Sequence, residues 1–115
     1  MNVKETGIIL SCEDYEAAVK FYAEQLGLPI RERGESLSTL DFGGSYLMVE
    51  DKGVASDREK TRAQNPTVLR FHVDDFDASV EELEARGVHV QVQHFRWGTI
   101  GVVIDPEGNR IELKR

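Results

Sequence analysis

Arg70 and His72 stand two residues apart in Leu69-Arg70-Phe71-His72, and Arg110 and Glu112 stand two apart in Arg110-Ile111-Glu112. In extended chain, residues two apart project from the same face. A guanidinium in such a place can hold a carboxylate or phosphate through two parallel hydrogen bonds. An imidazole beside it can move a proton near neutral pH. Without a ligand the same side chains make an exposed basic face, with Glu112 paired to Arg70 or Arg110 across the sheet. Trp97 and Phe95 flank Arg96 just ahead of a strand. They suit either stacking on a flat ligand or packing at a subunit interface. Tyr46 and Met48, again two apart, offer a phenol and an adaptable thioether to a mostly apolar pocket, or simply fill core. His89 and His94 have no evident partner and read as surface residues. No P-loop, HExxH, GxSxG or dinucleotide fingerprint is present.

These residues need strands to position them, and the strands come in two matching sets. Residues 6–12 alternate, with Ile8, Leu10 and Cys12 on one side. Asp14 is placed to cap a helix in which Tyr15, Ala18, Val19, Tyr22 and Leu26 keep helical spacing, and Gly27 ends it. From Thr67 the pattern recurs: Leu69, Phe71 and Val73 alternate, Asp74-Asp75 replaces Glu13-Asp14, Phe76 replaces Tyr15, and Gly87 ends the helix. The offset between copies is constant into the helix and then shortens by one residue before the glycine. Three short strands follow each helix, at about 28–33, 37–42 and 45–50, then about 88–93, 98–104 and 109–114. Asp105-Pro106-Glu107-Gly108-Asn109 is a turn in which Pro106 and Gly108 supply the backbone angles.

The helix of each copy should cover the more apolar sheet face. Alternation assigns that face Ile8, Leu10, Leu40, Phe42, Leu47 and Val49 in the first copy. In the second it assigns Leu69, Phe71, Val102, Ile104, Ile111 and Leu113. The opposite face takes Ser11, Thr39, Asp41, Tyr46, Met48 and Glu50, then Arg70, His72, Thr99, Arg110, Glu112 and Lys114. The expected fold is α+β: a single domain over 1–115 of tandem βαβββ modules, about 5–50 and 67–115, joined by a charged, solvated linker at 51–66. The modules should form a curved mixed sheet, a cup with its helices outside.

Length and charge narrow the class. The 115 residues make one compact unit by size, and a net charge of −7 disfavours a nucleic-acid partner. Cys12 is the one cysteine, so an intrachain disulfide and a thiolate metal site are both excluded. Met1 to Thr6 has no long apolar run, and no stretch approaches the ~18 apolar residues of a membrane helix. A reduced, cytoplasmic setting is the simplest expectation.

Three segments carry a family resemblance: "EDYEAAVKFYAEQLGLPI", "VLRFHVDDFDASVEELEARGV" and "WGTIGVVIDPEGNRIEL". Together they resemble the vicinal oxygen chelate superfamily, which includes glyoxalase I, extradiol dioxygenases, fosfomycin-resistance enzymes and bleomycin-resistance proteins. The resemblance implies paired βαβββ modules and cavities usually completed in a homodimer. It does not imply one reaction. It also implies four matched strand positions at which metal-dependent members hold an ion; here these are Gly7, Met48, Val68 and Glu112. Of these only Glu112 is an ordinary ligand for a hard divalent ion, and catalytic sites use three or more protein ligands.

The expectation is therefore a small-molecule-binding member without a catalytic metal or other cofactor, for instance sequestering an antibiotic or metabolite in a homodimer. Its ligand contacts would come from Tyr46, Met48, Arg70, His72, Trp97, Arg110 and Glu112. One alternative is a metal-dependent lyase or dioxygenase of the same superfamily, with Glu112 as ligand. Another is a metal-free enzyme with His72 as acid or base, Arg70 holding an anion and Glu112 as partner.

Overall fold

The computed structural model describes residues 1–115, which divide into two units, Met1–Ala55 and Ser56–Arg115. In the first unit, β1 (Gly7–Ser11) leads to α1 (Tyr15–Val19). Then come β2 (Ile30–Arg33), β3 (Leu37–Phe42) and β4 (Ser45–Glu50). The sheet order is β1-β4-β3-β2, with β1 parallel to β4 and the other pairs antiparallel. The second unit repeats this with β5 (Leu69–His72), α2 (Phe76–Ala85), β6 (Gln91–Phe95), β7 (Gly98–Ile104) and β8 (Arg110–Lys114), ordered β5-β8-β7-β6. Each unit is thus one βαβββ module in which the strand before the helix returns to pair with the last strand. No helix is long and apolar enough to cross a membrane.

Local chemistry explains the helix ends. Asp14 accepts a hydrogen bond from the Ala17 amide at 3.1 Å, and Asp75 accepts one from the Ala78 amide at 3.0 Å. Each carboxylate thereby satisfies a helix N–H that has no partner within the helix. The first helix departs from the expected continuous α-helix. After Val19 it widens into a π-helical turn over Lys20–Gln25, closed by the Leu26 amide donating to the Phe21 carbonyl at 2.8 Å. This turn takes up the extra residue by which the first copy exceeds the second between cap and glycine. Phe21 and Tyr22 stay buried despite it.

The cores lie between each helix and one sheet face. In the first unit Ala18, Tyr22, Leu40, Leu47 and Val49 are all fully buried. In the second, Leu69, Phe76, Leu83, Val103, Ile111 and Leu113 are buried. Strand β7 corrects the expected faces. It pairs Val102 with Glu112, Val103 with Ile111 and Ile104 with Arg110. Paired residues share a face, so Val102 and Ile104 lie on the side of Glu112, and Thr99 lies on the helix side. In Gly98-Thr99-Ile100-Gly101-Val102-Val103-Ile104 both parities are apolar, and Ile100 through Val103 are buried throughout. Only the partner strand settles which side each takes.

The expected linker at 51–66 is hydrogen-bonded on both sides of Ala55. The Gly53 amide donates to the Cys12 carbonyl at 3.0 Å, and the Ala55 amide to the Glu13 carboxylate at 3.2 Å. The Ser56 and Lys60 amides donate to the carbonyls of Glu107 and Gly108 at 3.0 and 2.8 Å. These last bonds hold the turn after β7. There the Asp105 carboxylate accepts from the amides of Glu107 and Asn109 at 2.9 and 2.8 Å, and from the Asn109 side chain at 3.0 Å. Gly108 has φ +89°, and a side chain on it would run into the Arg58 carbonyl. Glycine is required there on both counts.

Candidate functional site

The face of each sheet not covered by its helix, the open face, carries the chemistry-bearing residues. On the second sheet the parallel register sets Arg70 beside Glu112 and His72 beside Lys114. Arg70 donates from Nε and Nη2 to Glu112 Oε1 at 3.0 and 2.6 Å. Arg110 donates from Nε to Glu112 Oε2 at 3.0 Å and lies 3.8 Å from Glu59. Both oxygens of Glu112 are therefore engaged by guanidinium groups, on a side chain that is only 12% exposed. Burial alone would raise its pKa, but the hydrogen bonds from Arg70 and Arg110 outweigh burial and hold it below the usual carboxylate value. Val102 and Ile100 lie on this same face and form its buried apolar floor.

Trp97 sits in the turn between β6 and β7 rather than in a strand, and Phe95 is the last residue of β6. Their rings stack with centroids 5.0 Å apart and planes 3° from parallel. The Arg70 guanidinium lies 5.7 Å from the Trp97 ring centroid and the Lys114 ammonium 5.9 Å. Both are within cation–π range. Trp97 is 58% exposed and Phe95 46%. His72 is exposed at the end of β5, and no carboxylate pairs with it. His89 is exposed and 3.8 Å from Glu84; His94 contacts the Thr99 hydroxyl at 3.0 Å.

The first sheet brings Tyr46 and Met48 onto its open face with Gly7, Ile9 and Asp41. The Tyr46 ring lies directly over Gly7, where a β-carbon would overlap it. The Arg31 guanidinium lies 5.9 Å from the centre of that ring. It is itself held by Asp41, by Glu5 at 3.0 Å and by the Ser45 carbonyl at 3.2 Å. Ile9, two residues on, is 60% exposed. Ser11 donates to Glu50 at 2.9 Å.

Arg70, Arg110, Glu112 and Trp97 thus form one cluster in the second unit, while Tyr46 and Met48 belong to the open face of the first. Lys114, which its parity with Glu112 places on this face, joins the second cluster through its approach to Trp97. Arg31 is linked to Tyr46 by a side-chain path that no spacing reveals. At the four positions that the family resemblance implies for an ion, Gly7 is covered by Tyr46, Met48 offers a thioether and Val68 no donor atom. Glu112 is held by two arginines. No group of three or more His, Cys, Asp or Glu side chains is placed to share an ion.

A family model for the glyoxalase-like domain matches residues 7–114. The glutathione transferase FosA of Serratia marcescens is 28% identical over 114 residues, covering 92% of this chain and 76% of that protein. A glyoxalase/bleomycin resistance protein/dioxygenase from Alicyclobacillus acidocaldarius superposes with a TM-score of 0.78 at 21% identity, over 96% of this chain and 89% of the other. TnmS3, an antibiotic binding protein from Streptomyces sp. CB03234, superposes with a TM-score of 0.74 at 23% identity, over 98% and 95%.

Proposed function

Since this chain belongs to the glyoxalase-like domain family of the vicinal oxygen chelate superfamily, we propose that it is a small-molecule-binding member that works without a catalytic metal. The observation that carries this reading is the state of Glu112. It is the one ordinary ligand among the four metal positions, and both its oxygens are committed to Arg70 and Arg110. An ion would have to displace those charge-assisted bonds and would then find one carboxylate where three or more ligands are needed. The residues at the four positions do not fit a catalytic divalent ion. What they leave is a face of aromatic, aliphatic and paired charged side chains, which suits recognition. TnmS3 shows that this fold is used to bind an antibiotic. By analogy we assign this chain the sequestration of an antibiotic or metabolite; the candidate contacts are Tyr46 and Met48 on the open face of the first unit and, separately, Arg70, His72, Trp97, Arg110 and Glu112 in the second.

We also propose a homodimer. A chain this small gains stability by association, and β2 and β6 are edge strands that carry the exposed Ile30 and Val92. Light scattering should give twice the chain mass; a monomer at working concentration would count against it.

Thermal-shift titration of the chelator-treated protein against antibiotics and metabolites, with elemental analysis of the untreated protein, tests the main reading. Saturable shifts that chelator leaves unchanged are expected. Stoichiometric bound metal, or shifts that need added metal, would overturn it.

A further inference from the structure

We propose that the open face of the second sheet takes a flat organic anion, an aromatic or conjugated carboxylate, with its ring on Trp97 and its carboxylate on Arg70. This rests on the binding reading above and specifies its ligand class.

The aromatic half of the argument is exposure. Trp97 and Phe95 form a stacked pair, 58% and 46% exposed, at the end of a sheet in which Gly98 and Thr99 are half-buried and Ile100 is buried. An exposed apolar surface of this kind, rimmed by charge, marks a contact site. Stacking on it extends an arrangement the protein already uses.

The anionic half is the pose of Arg70. Its Nε and Nη2 are spent on Glu112, which fixes the guanidinium plane and keeps it 5.7 Å from the indole centre. An arginine has five N–H donors in a rigid fork. No group of the chain accepts from Arg70 Nη1, and the side chain is 42% exposed. Donors on Nη1 are therefore unspent on a partly exposed guanidinium that already faces the indole from 5.7 Å. Lys114, 5.9 Å from the same indole, adds a second cation; its Nζ donates only to the Arg115 carbonyl, at 2.9 Å.

The charges on the face agree. Arg70, Arg110 and Lys114 stand against Glu112, with Glu59 offsetting part of Arg110 from 3.8 Å. The surplus is positive, in a chain whose net charge is −7. A cationic ligand would be repelled, and a neutral one could accept from Arg70 only through weaker, uncharged-acceptor hydrogen bonds. A carboxylate accepts from it through charge-assisted hydrogen bonds.

Trp97 is the chain's one tryptophan, so its emission reports on this site alone. Naphthoate and its neutral analogue naphthamide should be titrated by calorimetry and by Trp97 emission. Naphthoate is expected to bind saturably and quench the emission, with naphthamide about tenfold weaker. Arg70→Gln should weaken naphthoate about tenfold and naphthamide much less, narrowing the gap between them. Trp97→Leu should weaken both, and added salt should weaken naphthoate only. Both substituted side chains are partly or largely exposed, and a cooperative unfolding transition, at a somewhat lower midpoint for Arg70→Gln, would confirm that the variants fold. Equal affinity for acid and amide, an Arg70→Gln variant that binds naphthoate normally, or no naphthoate binding would each overturn the inference. If neutral or cationic compounds bind while naphthoate does not, the binding function stands and only the ligand class falls. If nothing in a broad panel binds, the functional reading falls too.

Discussion

Ile9 beside Met48 in the first sheet corresponds to Arg70 beside Glu112 in the second, and Ser11 beside Glu50 corresponds to His72 beside Lys114. The same places in the same topology hold an aliphatic pair in one unit and an ion pair in the other, then a carboxylate in one and an ammonium in the other. The helix-covered faces show no such divergence. Leu47 and Ile111 occupy equivalent places and are both fully buried. The difference teaches which half of each module the fold depends on. Packing under the helix permits little change, because a lost methylene leaves a cavity. On the open faces the matched places differ in charge, with Ile9 beside Met48 and Ser11 beside Glu50 in one unit where the other has Arg70 beside Glu112 and His72 beside Lys114.

That contrast can be pressed hardest at the core. Leu47→Ala and Ile111→Ala should each destabilise by about 2–5 kcal/mol in denaturant unfolding. A cost for one and none for the other would break the equivalence of the two cores. On the open faces the outcomes should differ. Glu112→Ala leaves Arg70 and Arg110 together without their shared carboxylate and should cost roughly 1–3 kcal/mol. Met48→Leu, at the matching place, conserves volume and should cost less than about 1.5 kcal/mol. The Glu112 effect should also depend on pH. Its folded pKa lies below the ordinary carboxylate value. Its contribution is therefore complete above that ordinary range and fades as pH falls through the lowered value. Stability measured across the acid range should be flatter in Glu112→Gln than in the parent chain.

The helices offer a finer comparison. Tyr15 and Phe76 hold the same position after the cap, yet only Tyr15 carries a hydroxyl. That hydroxyl meets the Gly34 carbonyl at 2.7 Å and the Ser38 hydroxyl at 2.5 Å, with Arg33 donating to it from 2.9 Å. Tyr15→Phe makes the first helix like the second and should cost about 1 kcal/mol by unfolding, since the fully buried Ser38 loses a partner. Smallest of all, Asp14→Ala and Asp75→Ala should cost about 0.5–1 kcal/mol each and equally, because the two exposed caps make the same bond. Unequal losses would show that one helix leans on its cap more than the other.

What could be read ahead of the structure followed the range of the physics involved. The caps at Asp14 and Asp75 and the stops at Gly27 and Gly87 depend on a few neighbouring residues, and the chain order displays them. The pairing of Arg70 with Glu112 was foreseeable because a parallel register brings matching parities together. The faces of β7 were not, since Val102 and Val103 are equally apolar and only Glu112 and Ile111 on the partner strand tell them apart. Tyr46 over Gly7 was out of reach for a different reason. It depends on which way a ring leans across a strand, and on Arg31 held by Glu5 and Asp41. The candidate cluster was therefore legible as a set of residues on one face, but its contacts were not.

The π-helical turn at Lys20–Gln25 has one more consequence. An insertion into a regular helix rotates everything beyond it by about 100°, which would swing buried side chains toward water. Here the widened turn absorbs that rotation, and the chain leaves the helix in phase with its twin. The first module therefore holds a slack residue: shortening this turn by one would restore an ordinary helix of the second module's length, where the same deletion in α2 would put its buried face out of step.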